Sequence, residues 1–441
     1  MSTIPAPYEH QKTTSDFIVS RDHVYITSDP GTGKTRSVID AFAKRKAIAK
    51  INGDPKPRML VFAPLSILQS SWGDDIEKFA PQLTYDIAYA KNRESILMSS
   101  KADIVIVNHD GVKFLWNKKE DRTHWLRRKG MEFTDICIDE STAFKNRTSQ
   151  RSKAMSRVAQ TIERRVGMTG TPNPNTVLDL WHQLLIIDGG ERLGKKFFAF
   201  RSNVCAPQPN GFGVEWHDKP GAADTVAAQL MDINIRYTLE ECLDMPEHSV
   251  HNMYVDLPKK TMQQYLALAR DSVLETESGE QLSAIHAGAK VKKLLQVCTG
   301  AVYDENGNVI SVHKERYNLV LDLVQERAHS LVAFNYTHER DYLIKEAQKR
   351  GYSFAVIDGS VSANKRTEIV KDFQAGNIKV LFAHPQSAGH GLTLTRATST
   401  IWCSTTYNAE HYTQFNRRIY RAGQDKKTET ICIAARGTWE T

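Results

Sequence analysis

Short runs of apolar residues alternate along most of the chain with longer stretches in which apolar residues recur at helical spacing. This alternation is typical of parallel sheets that are covered by helices. In the first half of the chain, the runs that we predict to be strands lie at 24–27, 59–62, 104–107, 136–138 and 166–168. Those of the second half lie at 331–334, 354–357, 379–382, 400–403 and 430–434. The pattern predicts an α/β fold with two parallel sheets, one in each of two lobes.

The stretch between the two sets of strands has a different pattern. Residues 205–213 are rich in Pro and Gly, whereas 259–274 and 281–297 have helical periodicity. We therefore predict helical protrusions and a linker between the lobes. The predicted boundaries place the first lobe at 1–190, the protrusions and linker at 191–315, and the second lobe at 316–441.

Composition limits the class of protein without defining it. A chain of 441 residues that is 41% hydrophobic can build more than one core. The net charge of +7 fits a polyanionic partner but does not require one. No apolar run approaches the length of a membrane span, and the N-terminus has no signal-peptide core. Six cysteines without C-x-x-C spacing favour buried free thiols, and we predict a cytoplasmic location.

The segment S-D-P-G-T-G-K-T at 28–35 lies between a predicted strand and a helical pattern, which is the context of a phosphate-binding loop. Glycines let backbone N–H groups turn towards phosphate oxygens, and the helix N-terminus adds positive charge. Lys34 would reach the β- and γ-phosphates, and the Thr35 hydroxyl would bind Mg²⁺. The alternative is an ordinary Gly/Pro turn before a helix. The predicted nucleotide-binding positions here are Asp29, Pro30, Gly31, Thr32, Gly33, Lys34 and Thr35.

Two carboxylates, Asp139 and Glu140, close the predicted strand at 136–138. The carboxyl ends of parallel strands are where open α/β sheets place their ligand chemistry. Asp139 would hold Mg²⁺, and Glu140 would orient and deprotonate the attacking water. The alternative is a plain strand end followed by a helix cap at Ser141 or Thr142.

Near the C-terminus, Arg418 and Arg421 are three residues apart, so a helix would place them on one face. Two guanidinium groups in this arrangement can stabilise the charge that develops on a γ-phosphate. The alternative is a basic helix face in solvent.

Taken in this order, the blocks resemble superfamily 2 helicases, and most closely the Swi/Snf-type ATPases that translocate on double-stranded DNA. Residues 139–146 have the D-E-x-x-x-x-K-N spacing of that family, and 168–172 resemble its third motif. Further similar blocks lie at 63–72, 294–298, 357–360 and 437–440. The fifth motif, at 384–394, and the residues Arg417 and Tyr420 depart from the eukaryotic pattern and look like the minimal versions found in phages and bacteria.

The resemblance implies roles for further residues. Gln11 would read adenine, because an amide offers both a donor and an acceptor, although a solvent-facing helix start is the alternative. Gln414 would also contact the nucleotide, while Thr169, Gly170 and Thr171 would couple the Mg²⁺ site to motion. The implied contacts to the DNA backbone are Pro64, Ser66, Asn108, His109, Gly359, Ser360, Gly391 and Thr393.

These inferences together predict two RecA-like lobes in tandem that hydrolyse ATP in the cleft between them and move along double-stranded DNA. ATP and Mg²⁺ are the predicted cofactors. The predicted partner is double-stranded or branched DNA of any sequence, bound by a monomeric motor, with no membrane and with a protein partner left open. One alternative is a strand-annealing or branch-migrating helicase. Another is a nucleotide-gated DNA-binding module without productive turnover.

Overall fold

The computed structural model describes residues 4–130, 132–209, 213–277, 284–304, 306–388 and 392–441. The chain divides into two units, of which the first ends at Asp244 and the second begins at Met245. The finer division into a first lobe, a middle segment and a second lobe remains a prediction.

The first unit is built on a parallel sheet. Its strands are β1 (His23–Ile26), β2 (Met59–Ala63), β3 (Tyr85–Ala88), β4 (Ile104–Asn108), β5 (Trp116–Asn117), β6 (Glu120–Asp121), β7 (Asp135–Asp139), β8 (Arg164–Met168), β9 (Cys205–Pro209), β10 (Val214–Asp218) and β11 (Asn234–Ile235). Among the described residues, seven of them form one sheet in the order β11-β1-β8-β7-β2-β4-β3, in which all pairs are parallel. The pairs β5–β6 and β9–β10 are antiparallel hairpins.

Helices cover both faces of this sheet. They are α1 (Glu9–Val19), α2 (Lys34–Asn52), α3 (Asp74–Phe79), α4 (Arg93–Ser99), α5 (Val112–Leu115), α6 (Gln150–Ala159), α7 (Leu178–Asp188), α8 (Phe197–Val204), α9 (Ala222–Leu230) and α10 (Leu239–Cys242). Successive residues of β2 face opposite layers, because side chains alternate along a strand. Val61 packs in one core with Ile39 and Phe42 of α2, and Phe62 packs in the other core with Met155 of α6.

The second unit repeats this architecture. Its strands are β12 (His248–Val255), β13 (Ala301–Tyr303), β14 (Val309–Ser311), β15 (Ser330–Ala333), β16 (Phe354–Ile357), β17 (Val380–Ala383), β18 (Ser399–Trp402) and β19 (Thr428–Ala435). Its helices are α11 (Lys259–Glu277), α12 (Ala284–Thr299), α13 (Glu315–Gln325), α14 (Thr337–Lys349), α15 (Ala363–Ala375), α16 (Pro385–Ala388) and α17 (Ala409–Asn416). Within the described part of the chain, six strands form a parallel sheet in the order β12-β19-β18-β15-β17-β16.

The predicted fold class, two parallel α/β sheets in tandem, is confirmed, and all ten predicted strands are present within a residue or two of their predicted ends. The sheets also contain three strands that we did not predict, namely β3, β11 and β12. They are edge strands, so their polar or half-exposed residues form no continuous apolar run. The segment 191–315 is therefore only partly helical, since it supplies an edge strand to each sheet and contains two hairpins.

A buried arginine holds the C-terminal residues against the core of the second unit. The side chain of Arg316 has no exposed surface, and its guanidinium donates to the carbonyl oxygens of Cys298 at 3.1 Å, Cys403 at 2.7 Å and Ile433 at 2.8 Å. It also forms an ion pair with Glu440. The ion pair and its hydrogen bonds tie the chain end to α12, to the end of β18 and to β19.

We expect Arg316→Met to lower the free energy of unfolding of the second unit by about 3–5 kcal/mol, because it leaves the Glu440 carboxylate buried without its cation. Urea-dependent hydrogen exchange of the β19 amides measures this unit by itself. The double variant Arg316→Met/Glu440→Gln removes the uncompensated charge and should recover part of the loss. Equal destabilisation in the single and double variants would contradict the ion-pair explanation.

Candidate nucleotide-binding site

The loop between β1 and α2 has the backbone that a phosphate site requires. Gly31 and Gly33 have φ angles of 92° and 81°, in the left-handed region that favours glycine. Gly33 precedes the first residue of α2, so the N-terminal N–H groups of this helix face the loop. The predicted sequence of strand, loop and helix is confirmed, and the loop can bind an anion.

Lys34 lies across this loop. Its ammonium group donates to the carbonyl oxygens of Ser28 at 2.8 Å and Asp29 at 3.1 Å. Burial raises the pKa of the Asp139 carboxyl group, and the positive charge of Lys34 acts against that rise. The predicted phosphate-binding cation and the predicted metal-binding carboxylate thus belong to one electrostatic site within the first unit.

Gln11 packs directly on the loop. Its Nε2 donates to the carbonyl oxygen of Thr32 at 3.2 Å, and its Oε1 accepts from the backbone N–H of Tyr8 at 3.1 Å. A Cβ atom at Gly33 would make the end of the Gln11 side chain shift, and the φ angle of Gly33 independently favours glycine. Gln11 is buried, which disfavours the alternative of a solvent-facing helix start. Recognition of adenine by Gln11 stays a prediction.

Asp139 ends β7 as a buried carboxylate. One of its oxygens accepts from the indole N–H of Trp72 at 2.9 Å, and the other accepts from the backbone N–H of Glu140 at 2.9 Å. Burial, followed by the negative charge of Glu140, raises the pKa of Asp139 above its usual range. A cation bound beside this carboxylate would favour its ionised form, so the group is suited to bind a metal ion.

Glu140 has an unusual backbone for a residue with a side chain. Its φ is 47°, and a non-glycine residue in this region carries strain of about 1–3 kcal/mol, which is typical of functional sites. Its carboxylate accepts from the Thr169 hydroxyl at 3.3 Å. The predicted general base therefore has one of the predicted coupling residues as its direct partner.

The residues after β8 connect the acidic pair to the loop. The Thr169 hydroxyl lies 3.2 Å from that of Thr142, and it accepts from the backbone N–H of Thr171 at 3.2 Å. A Cβ atom at Gly170 would lie 2.6 Å from the ring of Pro30. All three predicted coupling residues are thus in the site. The coupling itself stays a prediction.

Two of the residues predicted to contact DNA are buried and form hydrogen bonds within the first unit. His109 is buried, with Nε2 2.8 Å from the carbonyl oxygen of Asp139, and Asn108 is buried and accepts from Arg93 at 3.1 Å. Pro64 and Ser66 are partly exposed after β2. The role of His109 that the structure supports is to fix the strand end that carries Asp139.

In the second unit, Gly359 and Ser360 form a turn in which Asp358 accepts from the backbone N–H of Ser360 at 2.9 Å and from its hydroxyl at 2.6 Å. Thr393 is partly exposed. Gly391 lies outside the described residues. The exposed backbone of this turn is compatible with a phosphate contact, which remains a prediction.

The prediction that Arg418 and Arg421 share a helix face is wrong, because α17 ends at Asn416 and both arginines lie in the turns that follow. They nevertheless converge. A guanidinium nitrogen of each donates to the carbonyl oxygen of Leu392, at 3.1 Å from Arg418 and at 2.9 Å from Arg421. The turn brings the two cations together without a shared helix.

Gln414, predicted to contact the nucleotide, has a buried side chain next to these arginines. Its backbone carbonyl accepts from Arg418 at 2.9 Å, and its Nε2 donates to Glu410 at 3.1 Å. Its buried Oε1 has no hydrogen-bond partner among the described residues. An unmet acceptor at this position is compatible with a donor on a bound molecule.

The first unit offers few ligands for a metal ion. Among the described residues, no group of three or more His, Cys, Asp or Glu side chains is arranged to hold one. Magnesium commonly binds one or two carboxylates and completes its octahedron with water and phosphate oxygens. Asp139 and the Thr35 hydroxyl fit this pattern, and the Mg²⁺ site stays a prediction.

Sequence reasoning missed the roles of Trp72 and His109. Trp72 is presented by a π-helical turn at Leu68–Gly73 and reaches Asp139 across 67 positions of sequence. A buried acid needs donors, but nothing local to Asp139 identifies which residues supply them.

Comparison with known families agrees with this geometry. The model of the SNF2-related domain matches residues 10–300, and that of the helicase conserved C-terminal domain matches residues 315–423. The chain belongs to the SNF2-related family. This confirms the predicted family, and with it an enzyme of the helicase type that uses ATP.

Individual relatives share 21–30% sequence identity with the chain. The chain is 30% identical over 437 residues to protein p41 of Acyrthosiphon pisum secondary endosymbiont phage 1, covering 94% of this chain and 88% of that protein. It is 22% identical to an uncharacterised ATP-dependent helicase of Mycoplasma genitalium but spans only 38% of that protein. The Sulfolobus solfataricus SWI2/SNF2 ATPase core in complex with dsDNA aligns over 99% of this chain and 89% of its own, with 21% identity and a TM-score of 0.46. No helix in the described ranges has the length and apolar character of a membrane span.

Glu140→Gln should still bind ATP but turn it over at least about a hundredfold more slowly, because the amide cannot take a proton from water. Turnover and nucleotide affinity of the purified protein measure the two effects separately. Glu215→Gln, an exposed carboxylate of the same unit, is the matched control and should change neither. Loss of nucleotide binding together with turnover would mean that Glu140 has a structural role.

Proposed function

We propose that the protein is an ATP-driven translocase on double-stranded DNA. The observation that carries this proposal is that one unit holds the loop lysine, the buried Asp139 and the strained Glu140. The N–H of Glu140 donates to Asp139, and its carboxylate accepts from Thr169, which follows β8. A site that only bound nucleotide would need the loop. It would not need a general base such as Glu140 that is bonded to Thr169, in the segment after β8 that also contacts the loop.

In the proposed cycle, Lys34 neutralises the β- and γ-phosphates, and Asp139 with Thr35 holds Mg²⁺. Glu140 takes the proton of the attacking water. Thr169 bonds to Glu140, and the next residue, Gly170, lies against Pro30 of the loop. Hydrolysis beside Glu140 would therefore change the contact between Gly170 and the loop. This is the proposed route by which phosphate release reaches the rest of the unit.

Arg418 and Arg421 would act on the γ-phosphate in the transition state. Each guanidinium has five N–H donors, and in each arginine one of them is oriented by the Leu392 carbonyl. Because the Leu392 carbonyl accepts from both guanidinium groups, it holds them close together, which supports a proposal in which both act on the same phosphate.

The proposed track is DNA bound through its backbone. Ser66, Ser360 and Thr393 offer hydroxyls and Gly359 offers a backbone N–H, and such donors position phosphates without reading sequence. Pro64 would lie beside Ser66. Duplex is preferred in this proposal because the family resemblance is to ATPases that translocate on double-stranded DNA. The net charge of +7 is modest, so we expect the phosphate contacts to be local.

ATPase rates with blunt duplex, single-stranded and forked DNA, compared side by side, test the proposal. Duplex should stimulate most, and the stimulation should fall steeply with salt, because phosphate contacts release condensed counterions. Lys34→Ala, which removes the phosphate-binding cation, should stay folded and inactive with every DNA.

Three outcomes would favour other functions. Stimulation by single strands alone, with unwinding of plain duplex, indicates a conventional helicase. Preference for forks with strand annealing indicates an annealing or branch-migrating enzyme. Nucleotide-dependent DNA binding without turnover indicates a binding module.

Arg418→Ala and Arg421→Ala should each lower kcat by on the order of 10³-fold while changing ATP affinity little, because their charges act mainly in the transition state. Single-turnover hydrolysis and equilibrium ATP binding separate the two quantities. Arg417→Ala is the matched control, since the Arg417 guanidinium lies 5.1 Å from the ring centre of Tyr420 and is given no catalytic role. Weaker ATP binding with unchanged turnover would make the arginine a ground-state contact.

A further inference from the structure

The first unit carries a row of aromatic and arginine side chains that the ATPase chemistry does not use. It begins at Trp181 of α7, whose ring centre lies 5.4 Å from that of Phe197. The guanidinium carbon of Arg147 lies 4.4 Å from the ring centre of Phe197 and 5.2 Å from that of Phe198. These residues come from three separate segments, so the row is a product of the fold.

The row continues across α8 to the hairpin. The guanidinium carbon of Arg201 lies 5.1 Å from the ring centre of Phe198 and 3.9 Å from that of Trp216 in β10. We call this set the aromatic–arginine row, and its members are Trp181, Phe197, Arg147, Phe198, Arg201 and Trp216.

Phe198 is the exposed member of the row. It is 60% exposed, whereas Trp181 is buried and Phe197 and Trp216 are partly buried. Two exposed lysines, Lys195 and Lys196, come just before α8. The row therefore presents an open aromatic face in a basic setting.

The arginines of the row are not neutralised by acids. Neither Arg147 nor Arg201 has a carboxylate within ion-pair distance in the described part of the chain. The Nε atom of Arg201 is buried, and no hydrogen-bond partner is present for it among the described residues. Both guanidinium groups instead lie near aromatic rings, with the carbon of Arg147 5.2 Å from the ring centre of Phe198 and that of Arg201 3.9 Å from the ring centre of Trp216.

We propose that the aromatic–arginine row binds an unpaired DNA strand, with a base stacked on Phe198 and phosphates on Arg147 and Arg201. Every base has a flat face that stacks on an aromatic ring regardless of sequence, and arginine adds cation–π and phosphate contacts. The interior of a duplex offers no free base faces, so the ligand is a single-stranded arm. This inference rests on the proposed function, in which the protein binds DNA and moves along it.

The test measures the affinity of the full chain, by fluorescence anisotropy, for a blunt duplex and for the same duplex with a single-stranded arm. The arm should increase the affinity of the unaltered protein. Phe198→Ala should remove about tenfold of the affinity for the armed DNA, in line with the loss of one base stack. Its affinity for blunt duplex and its ATPase rate without DNA should not change.

Three further variants separate stacking from charge and from misfolding. Phe198→Tyr keeps an aromatic face and should retain the arm. Arg201→Lys keeps the charge but loses the planar group, so it should weaken arm binding less than Arg201→Ala does. Tyr254→Ala is the matched control, because Arg436 lies 5.1 Å from that ring but is already paired with Asp256. It should bind both DNAs as the unaltered protein does.

An arm that adds no affinity, or a Phe198→Ala variant that binds it as tightly as the unaltered protein, would overturn the inference. Equal losses for the alanine and tyrosine variants would also overturn it, since the ring would then serve the fold or a protein partner. Failure of the proposed function has a different result, namely no stimulation of the ATPase by duplex in the unaltered protein.

Discussion

The buried carboxylate of Asp139 is the group on which the nucleotide site depends. A charge in this position is costly unless donors or a cation compensate it. The indole of Trp72 and the backbone N–H of Glu140 supply two hydrogen bonds, while burial still raises its pKa. A divalent cation that is bound together with phosphates can offset the remaining cost of burying the ionised carboxylate. We therefore expect a metal ion to bind together with nucleotide, since the ionised carboxylate is costly without a cation.

The order of the strands places the rest of the chemistry around this group. In the first sheet β8 lies between β1 and β7, and all three run parallel, so their carboxyl ends meet at one edge. The loop follows β1, the acids follow β7, and Thr169 follows β8 between them. A residue at that point has to contact both neighbours. The proposed coupling by the residues after β8 is therefore a consequence of sheet order and does not require a separate device.

The sequence predicted the features that local pattern determines and missed those that depend on packing. The interior strands and the loop at 28–35 were predictable because a continuous apolar run or a glycine spacing marks each of them. Edge strands such as β12 were missed, since one side of such a strand faces solvent and its sequence is mixed. The hydrogen bond from Trp72 and the contact of His109 join distant segments, so no local pattern contains them. The arginine pair was predicted with the wrong geometry, because the spacing of Arg418 and Arg421 suits a helix, whereas α17 ends at Asn416 before either arginine.

The proposed chemistry is divided unequally between the two units. In the proposal, the first unit holds the loop, the metal-binding acid and the general base, which would bind nucleotide and activate water. The proposed role of the arginines of the second unit, which both donate to the Leu392 carbonyl, would begin only when charge develops on the phosphate. Under this proposal, nucleotide binding would need the residues of the first unit, and fast hydrolysis would need the arginines as well. The rate of hydrolysis would then depend on the arginines of the second unit, and a translocating ATPase needs such a dependence to couple hydrolysis to movement.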